Sequence, residues 1–297
     1  MYKPLPTITA QLVFVLLALL FATSAPAEIR ISDDKGNSIR LEAPAQRIVS
    51  LSPHTTELLF AAGAGELVVG APSYSDYPEA AQKIPRIGGY NAIDFETILA
   101  LQPDLVVGWH SGNGPRTIER LRELGLTVYS SEPRQLDDIP RALRRLGQLS
   151  DKRASANAAA EAFEQRLATL EQRYRDRPQV SVFYQIWHQP LMTIGGEHII
   201  NQVIALCGGK NTFANQRSLT VTISEEAVLL ADPQAIIASG MGEPRPEWVE
   251  NWRHWPGLQA VRDEQLFFIH PDLLQRPTPR LLDGAEQLCQ ALEQLRE

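Results

Sequence analysis

The sequence has few cysteines and no excess of basic residues. Its 297 residues include only 2 cysteines, and 28 lysines and arginines stand against 35 aspartates and glutamates, so the formal net charge is -7. A nucleic-acid surface needs clustered positive charge, and no basic block occurs in this chain. The composition therefore argues against a nucleic-acid partner and fits a globular protein with room for two modest domains.

Motifs of the common enzyme classes are also missing. The chain contains no G-x-S-x-G, no H-E-x-x-H, no phosphate-binding G-x-x-x-x-G-K-[ST] and no G-x-G-x-x-G. Ser52 and His54 lie close together after a predicted strand, but a nucleophile needs a base that a third group orients, and the neighbouring sequence supplies none. We interpret Ser52 as a helix cap and predict a protein that is not an enzyme. An exported α/β hydrolase is the alternative from a different class.

The six histidines show no metal-ligand spacing with another histidine, cysteine or carboxylate. This argues against a zinc or manganese carrier. His110 follows Trp109 at the end of a predicted strand, where α/β sheets present ligands. It is the one candidate for an axial ligand to cobalt or another metal held in a porphyrin or corrin ring. An exposed loop histidine is the simpler interpretation.

Residues 1–27 are typical of a secretory signal peptide. Lys3 gives a positive start, residues 12–21 form an apolar core too short for a membrane span, and Ala25-Pro26-Ala27 is a small-residue cleavage site. We therefore predict a periplasmic protein that begins near Glu28. Export places Cys207 and Cys289 in an oxidising compartment, so a disulfide is favoured over two buried thiols.

The residues from 150 to 178 predict one long helix. The segment lacks Gly and Pro before Pro178, Ser150 is a candidate N-cap, and apolar residues recur at three- and four-residue spacing. On either side, short apolar strands alternate with helices, which is typical of mostly parallel sheets covered on both faces. The sequence predicts an α/β fold of two similar lobes, residues 28–149 and 179–297, joined by one rigid helix.

An internal repeat supports the two-lobe interpretation. The segment from Glu96 through Pro103 into a strand matches the segment from Glu226 through Pro233 almost position by position. Two lobes of the same construction imply a cleft between them, where ligands commonly bind. A single helix as connector implies little hinge motion.

Aromatic residues follow several predicted strands. These are Tyr74, Tyr90 and Trp109 in the first lobe and Trp187 in the second, with His188 beside it. Flat side chains around a cleft suit a large, flat and partly apolar ligand. Trp248, Trp252 and Trp255 have helical spacing instead, and we predict that they pack inward.

Several of these segments resemble one known family. The stretch from Ile48 to Trp109, which includes SYSDYP, and the later stretches NQVIALCGGKNTFA, ISEEAVLLADPQAII and PTPRLLDGAEQLCQAL are similar to the periplasmic vitamin B12-binding proteins of ABC importers. The resemblance covers about residues 47–292. The S-P, P-D-L-V and C-G-G-x-N features belong to the wider class, which also carries haem and ferric siderophores, and either ligand is the alternative within that class.

The resemblance implies a function and specific residues. It implies a monomeric carrier that takes cobalamin, or a related corrinoid, as transported ligand and delivers it to an inner-membrane permease dimer with its ATPase subunits. The implied ligand site comprises Tyr74, Tyr90, Trp109, Met192, Asp272, Leu273, Leu274 and Arg276. Glu96 and Glu226 match the glutamates that engage arginines on the transporter. Tyr90, Met192 and Leu273-Leu274 replace aromatic residues of the family, which reduces the stacking area.

Overall fold

The computed structural model describes residues 28–240 and 247–297, so the predicted signal peptide lies outside the described residues. It contains two parallel four-stranded sheets. In spatial order, the strands of the first are Val68–Gly70, Ile48–Ser50, Leu105–Trp109 and Val128–Ser131. Those of the second are Gly209–Asn211, Val180–Gln185, Ala235–Ala238 and Leu266–Phe268. Both sheets thus place their four strands in the chain order 2-1-3-4. The short, almost wholly buried strands suit parallel sheets covered on both faces, and the predicted α/β class is confirmed.

We call residues 28–149 the N-lobe, residues 179–297 the C-lobe, and the helix Arg153–Tyr174 the backbone helix. The N-lobe helices are Pro53–Ala61, Phe95–Ala100, His110–Asn113, Pro115–Glu123 and Asp138–Leu149. The C-lobe helices are Ile199–Leu206, Glu225–Ala231, Gln259–Arg262, Pro271–Leu274 and Leu281–Gln294. Three 3-10 helices span Gly65–Leu67, Glu79–Lys83 and Glu247–His254. Across the described ranges, no helix is both long and apolar enough to cross a membrane.

The chain also forms antiparallel ribbons outside the two parallel sheets. Two are hairpins, Ile29–Ser32 with Ser38–Leu41 and Gly88–Gly89 with Ala92–Ile93. The third has three strands, Trp187–His188, Leu191–Ile194 and Thr220–Thr222. This third ribbon continues from the central strand of the C-lobe sheet, so it extends that sheet beyond its carboxyl edge.

The backbone helix packs along the preceding helix and the C-terminal helix. Its buried residues are Ala156, Ala160, Phe163, Leu167, Leu170 and Tyr174. At Gly147 the preceding helix comes so close that an added Cβ would lie 2.3 Å from the Cβ of Ala156. The prediction that Ser150 caps the backbone helix is wrong. Its hydroxyl donates to the carbonyl four residues earlier, so it ends the preceding helix.

One apolar core spans both lobes. It includes Ile48 and Leu105 from the N-lobe sheet and Val182 and Ile237 from the C-lobe sheet, together with the buried face of the backbone helix. Because packed cores resist deformation, a continuous core opposes rotation of one lobe against the other. The predicted disulfide is present and joins Cys207 to Cys289, with Cα atoms 4.6 Å apart.

The internal repeat of the sequence is also a repeat of structure. Glu96 and Glu226 are each the second residue of a short helix, and Asp94 and Ser224 cap those helices through their side chains. After each helix, the residue before a proline, Gln102 or Asp232, has a left-handed conformation, with φ of 47° and 38°. Each then leads into the third strand of its sheet.

Candidate functional site

Trp109 ends a strand of the N-lobe sheet at its carboxyl edge. Its indole lies 5.1 Å from the ring of His54 at a perpendicular angle, and 6.1 Å from the ring of Tyr90. The indole covers Gly112, where a Cβ would come within 1.9 Å of the ring, so this contact requires glycine. The structure therefore brings Tyr90 and Trp109 together, with partly exposed rings.

Asn113 holds the backbone around these rings. Its side-chain oxygen accepts from the Trp109 amide at 2.7 Å, and its side-chain nitrogen donates to the carbonyls of Leu51 and Tyr90 at 2.9 and 2.7 Å. The side chain is buried, so all three bonds are shielded from water. Sequence reasoning missed Asn113, although an asparagine four residues after a strand-end tryptophan is a signal that could have been followed.

His54 lies beneath Trp109 and is buried. Ser52 caps the helix Pro53–Ala61, as predicted, and its hydroxyl lies 3.1 Å from Nδ1 of His54. Burial, and then the positive charge of Arg276, lowers the pKa of His54 to about 3. The imidazole is therefore neutral at physiological pH, and it adds an apolar surface and no charge beneath the aromatic rings.

This depressed pKa predicts a loss of stability in mild acid. The unfolded chain regains the ordinary value of 6.5, so between pH 6.5 and 3 the unfolded state binds one more proton at His54 than the folded state. The contribution is complete above pH 6.5 and falls as the pH falls, by about 2 kcal/mol at pH 5. Urea unfolding at pH 7.5 and pH 5 should show a loss about 2 kcal/mol smaller in His54→Gln than in the natural protein. Equal losses in both proteins would contradict the assignment.

The loop from Ser73 to Pro78 presents Tyr74. Its ring is 74% exposed, and its backbone is left-handed at φ 66°, which is unusual for a residue other than glycine. The loop is nevertheless anchored, since the Ser73 amide donates to the carbonyl of Gly88 at 2.8 Å and the Ser75 and Thr56 hydroxyls lie 3.1 Å apart. An anchored backbone with a free ring is suited to stacking on a flat ligand.

Arg276 connects the C-lobe to this loop. Its guanidinium contacts Glu57 and Asp76 at 2.8 Å each and Asp272 at 2.7 Å, and its side chain is only 12% exposed. It also donates to the carbonyl of Tyr74 at 3.2 Å. Burial raises the pKa of Asp272, against the opposing effect of Arg276. The structure thus brings Tyr74, Asp272 and Arg276 together, with the positive charge surrounded by carboxylates.

The two leucines beside this cluster differ from expectation. Leu274 is 0% exposed and belongs to the apolar core, so it presents no surface to a ligand in this structure, and its role as a contact stays a prediction. It follows Leu273 in a short helix whose inner side meets the core. Leu273 is partly exposed and packs at the edge of the same core.

A second group of aromatic residues lies on the three-stranded ribbon of the C-lobe. Trp187 pairs with Met192 across two antiparallel strands, and both are partly exposed. His188 stacks on Trp248 at 5.3 Å with an interplanar angle of 12°. Trp248 is partly buried and also packs against the core around Phe183 and Trp252, so its inward packing is confirmed. Of the other two, Trp252 is buried, whereas Trp255 lies beyond the helix end and is 40% exposed.

The remaining predicted residues lie elsewhere. His110 begins a short helix directly after Trp109 and is partly exposed. Within residues 28–240 and 247–297, no three histidine, cysteine or carboxylate side chains are grouped to hold a metal ion. Glu96 and Glu226 are exposed at their helix starts. A hydrogen bond from Ser224 lowers the pKa of Glu226 and keeps it charged.

Two small cavities lie away from these residues. One, of about 290 Å³, lies between Leu229 and Trp255, and the other, of about 240 Å³, lies along the backbone helix beside Arg166. Both are smaller than the ~300–1,000 Å³ of ordinary ligand pockets. The aromatic rings at the strand ends form an open surface and are the better candidate site.

The chain is similar to known proteins in sequence and in fold. Residues 48–273 match the model of a family described as "Periplasmic binding protein". The vitamin B12-binding protein of Vibrio cholerae is 39% identical over 251 residues, which cover 84% of this chain and 90% of that protein.

Solved structures agree. The crystal structure of the periplasmic vitamin B12-binding protein BtuF of Vibrio cholerae matches with a TM-score of 0.79 and 38% identity, over 86% of this chain and 99% of that one. The periplasmic haem-binding protein RhuT of Roseiflexus sp. RS-1 matches with a TM-score of 0.73 and 27% identity, over 83% and 97% of the two chains. All three are named as binding proteins, which agrees with the prediction that this chain is not an enzyme. The chain belongs to the periplasmic binding protein family.

Proposed function

We propose that this protein captures cobalamin or a related corrinoid between its two lobes and delivers it to an inner-membrane ABC importer. The observation that carries the proposal is the set of exposed aromatic rings at the strand ends, in a chain 39% identical to a vitamin B12-binding protein. A corrin ring is large, flat and largely apolar on its faces, and exposed aromatic rings stack well on such surfaces. Tyr74, Tyr90 and Trp109 supply the N-lobe contacts, and Trp187, Met192 and Leu273 supply those of the C-lobe.

The charged side chains around Arg276 favour a ligand whose outer groups are uncharged. Glu57, Asp76 and Asp272 surround Arg276, and Arg280 also bonds to Glu57, so three carboxylates face two guanidinium groups. The amide side chains around a corrin can bond to carboxylates and to arginine without bringing in charge. The propionates of haem and the ferric complexes of catecholate siderophores carry net negative charge that this cluster does not balance. The charge pattern therefore supports cobalamin over haem and over anionic ferric siderophores.

The organisation of the chain fits this role. We infer that residues 28–149 and 179–297 are two domains joined by 150–178, that residues 1–27 are removed on export, and that the mature protein acts as a monomer. Glu96 and Glu226 lie on equivalent helices of the two lobes, which supports a two-point contact with a permease dimer and its ATPase subunits. His110 follows Trp109 directly and is a candidate neighbour of the cobalt.

Direct titration tests the ligand. Cyanocobalamin should bind one per chain and quench tryptophan fluorescence, since Trp109 and Trp187 are both assigned to the site. Haemin and a ferric tris-catecholate, titrated in parallel, should bind at least tenfold more weakly, because binding them leaves buried negative charge unpaired. Calorimetry of the three ligands measures stoichiometry and affinity together. Tight haemin binding with no binding of cyanocobalamin would assign the protein to the haem carriers.

A further inference from the structure

Glu57 is a buried carboxylate of the N-lobe whose hydrogen bonds come from the C-lobe. Its side chain is 3% exposed and lies on the helix Pro53–Ala61, one turn after His54. It accepts from Arg276 at 2.8 Å, from Arg280 at 3.0 and 2.9 Å, and from the Thr278 hydroxyl at 3.1 Å. All three donors lie in one segment of five residues, so a single side chain fixes that segment against the opposite lobe.

Each arginine that Glu57 holds also reaches the loop that carries Tyr74. Arg276 bonds to Asp76 and to the carbonyl of Tyr74. The guanidinium of Arg280 lies 3.8 Å from the ring centre of Tyr77 in the same loop. A cation over an aromatic face is attractive, and more so when it is partly shielded from water. The loop is thus held from the C-lobe at three points, and both arginines depend on Glu57 for their orientation.

A contribution to the stability of the fold does not by itself explain why Glu57, Arg276 and Arg280 are paired here. Removing two charges from water is costly, and replacing a buried ion pair with apolar residues is often neutral or stabilising. The network joins parts of the chain that are more than 190 residues apart, at the surface where the two lobes meet. A fixed geometry of that surface is what the network provides.

We propose that Glu57 is a positioning residue for ligand capture. Through Arg276 and Arg280 it sets the spacing of the two lobes and holds the loop of Tyr74 in the conformation that presents its ring. Glu57 acts on the ligand only indirectly, through the position of the residues that contact it, and the inference rests on the proposed function. A ligand that binds one conformation has its apparent Kd divided by the fraction of molecules in that conformation. If Glu57→Gln leaves about a tenth of the molecules in the native spacing, the Kd for cyanocobalamin rises about tenfold.

The test measures the distance between the lobes and the affinity for cyanocobalamin separately. Spin labels at introduced cysteines, Asn91→Cys in the N-lobe and Gln189→Cys in the C-lobe, report the distance between lobes without ligand. Both positions are exposed, and the two natural cysteines are paired with each other. We expect Glu57→Gln to broaden the distance distribution and to raise the Kd for cyanocobalamin about tenfold or more. Arg280→Gln, which removes two of the bonds to Glu57 and leaves Arg276 in place, tests the same link if Glu57→Gln does not fold.

Asp33→Asn is the matched control. Asp33 is also a buried carboxylate paired with an arginine, Arg122 at 3.1 Å, but both residues lie in the N-lobe. It should lower the melting temperature and leave both the distance distribution and the Kd unchanged. Native spacing and affinity in Glu57→Gln would overturn the proposal, and so would equal loss of affinity in Asp33→Asn. If the natural protein binds no cyanocobalamin, the proposed function fails, and the label distances alone decide the role of Glu57.

Discussion

Reversing both Glu96 and Glu226 to arginine should abolish cobalamin uptake while leaving capture intact. Each carboxylate is exposed at the start of an equivalent helix, one in each lobe. Two such charges can bond to arginines on the two halves of a permease dimer, and bonds between charged groups are about twice as strong as neutral ones. Reversal replaces both attractions with repulsion, which costs several kcal/mol and affects specificity and association rate together.

Two measurements separate docking from capture. Uptake of labelled cobalamin by cells, and formation of a complex with the reconstituted importer, should both fall to background in the double variant. Its Kd for cyanocobalamin should stay close to that of the natural protein, because both residues lie at helix starts outside the proposed ligand site. Its melting temperature should fall by only a few degrees, because each carboxylate contributes ~0.3–1 kcal/mol through the helix dipole.

A control must change the same amount of charge elsewhere. Glu119 and Glu161 are exposed residues on other helices, so reversing both gives the same net charge. This control should transport normally. Normal transport by the Glu96 and Glu226 double variant would leave the two glutamates with only a local role at the helix starts, worth ~0.3–1 kcal/mol each through the helix dipole.

Trp109→Ala should weaken cobalamin binding by roughly 1–3 kcal/mol, which is about 5- to 150-fold. The indole is held in place from several sides: Asn113 fixes its backbone, Gly112 leaves room beneath it, and His54 meets its ring edge to face. Because it is already ordered in the free protein, a ligand that stacks on it gives up little side-chain entropy. Calorimetry on the natural protein and the variant measures the loss.

Two further variants test whether the loss of affinity comes from the aromatic ring at position 109. Trp109→Phe keeps an aromatic face and should lose less affinity than Trp109→Ala. Trp255→Ala removes another tryptophan, 40% exposed and outside the proposed site, and should bind cyanocobalamin as the natural protein does. Equal affinities for Trp109→Ala and Trp255→Ala would exclude Trp109 from the site.

The local sequence determined the helices and strands of this protein and the segment that is repeated in both lobes. Short apolar strands alternating with capped helices specify two parallel sheets, and the repeated Glu and Pro spacing specifies matching helices in the two lobes, since capping and strand periodicity act over a few residues. The long helix was predictable for the same reason, although Ser150 could not be assigned to the right helix. A serine between two helical segments can cap either, and only the turn that forms between them decides.

Contacts between distant residues were decided by the tertiary structure. Trp248 has the spacing of an inward helix face and packs against the C-lobe core, but the spacing did not indicate that it also stacks on His188, 60 residues earlier. Leu274 follows Leu273 directly, but the helix that carries them turns only one of them fully into the core. Glu57 looks like any helix residue in the sequence. Its partners lie 219 to 223 residues away, and no local pattern can indicate a pairing that exists only when the two lobes come together.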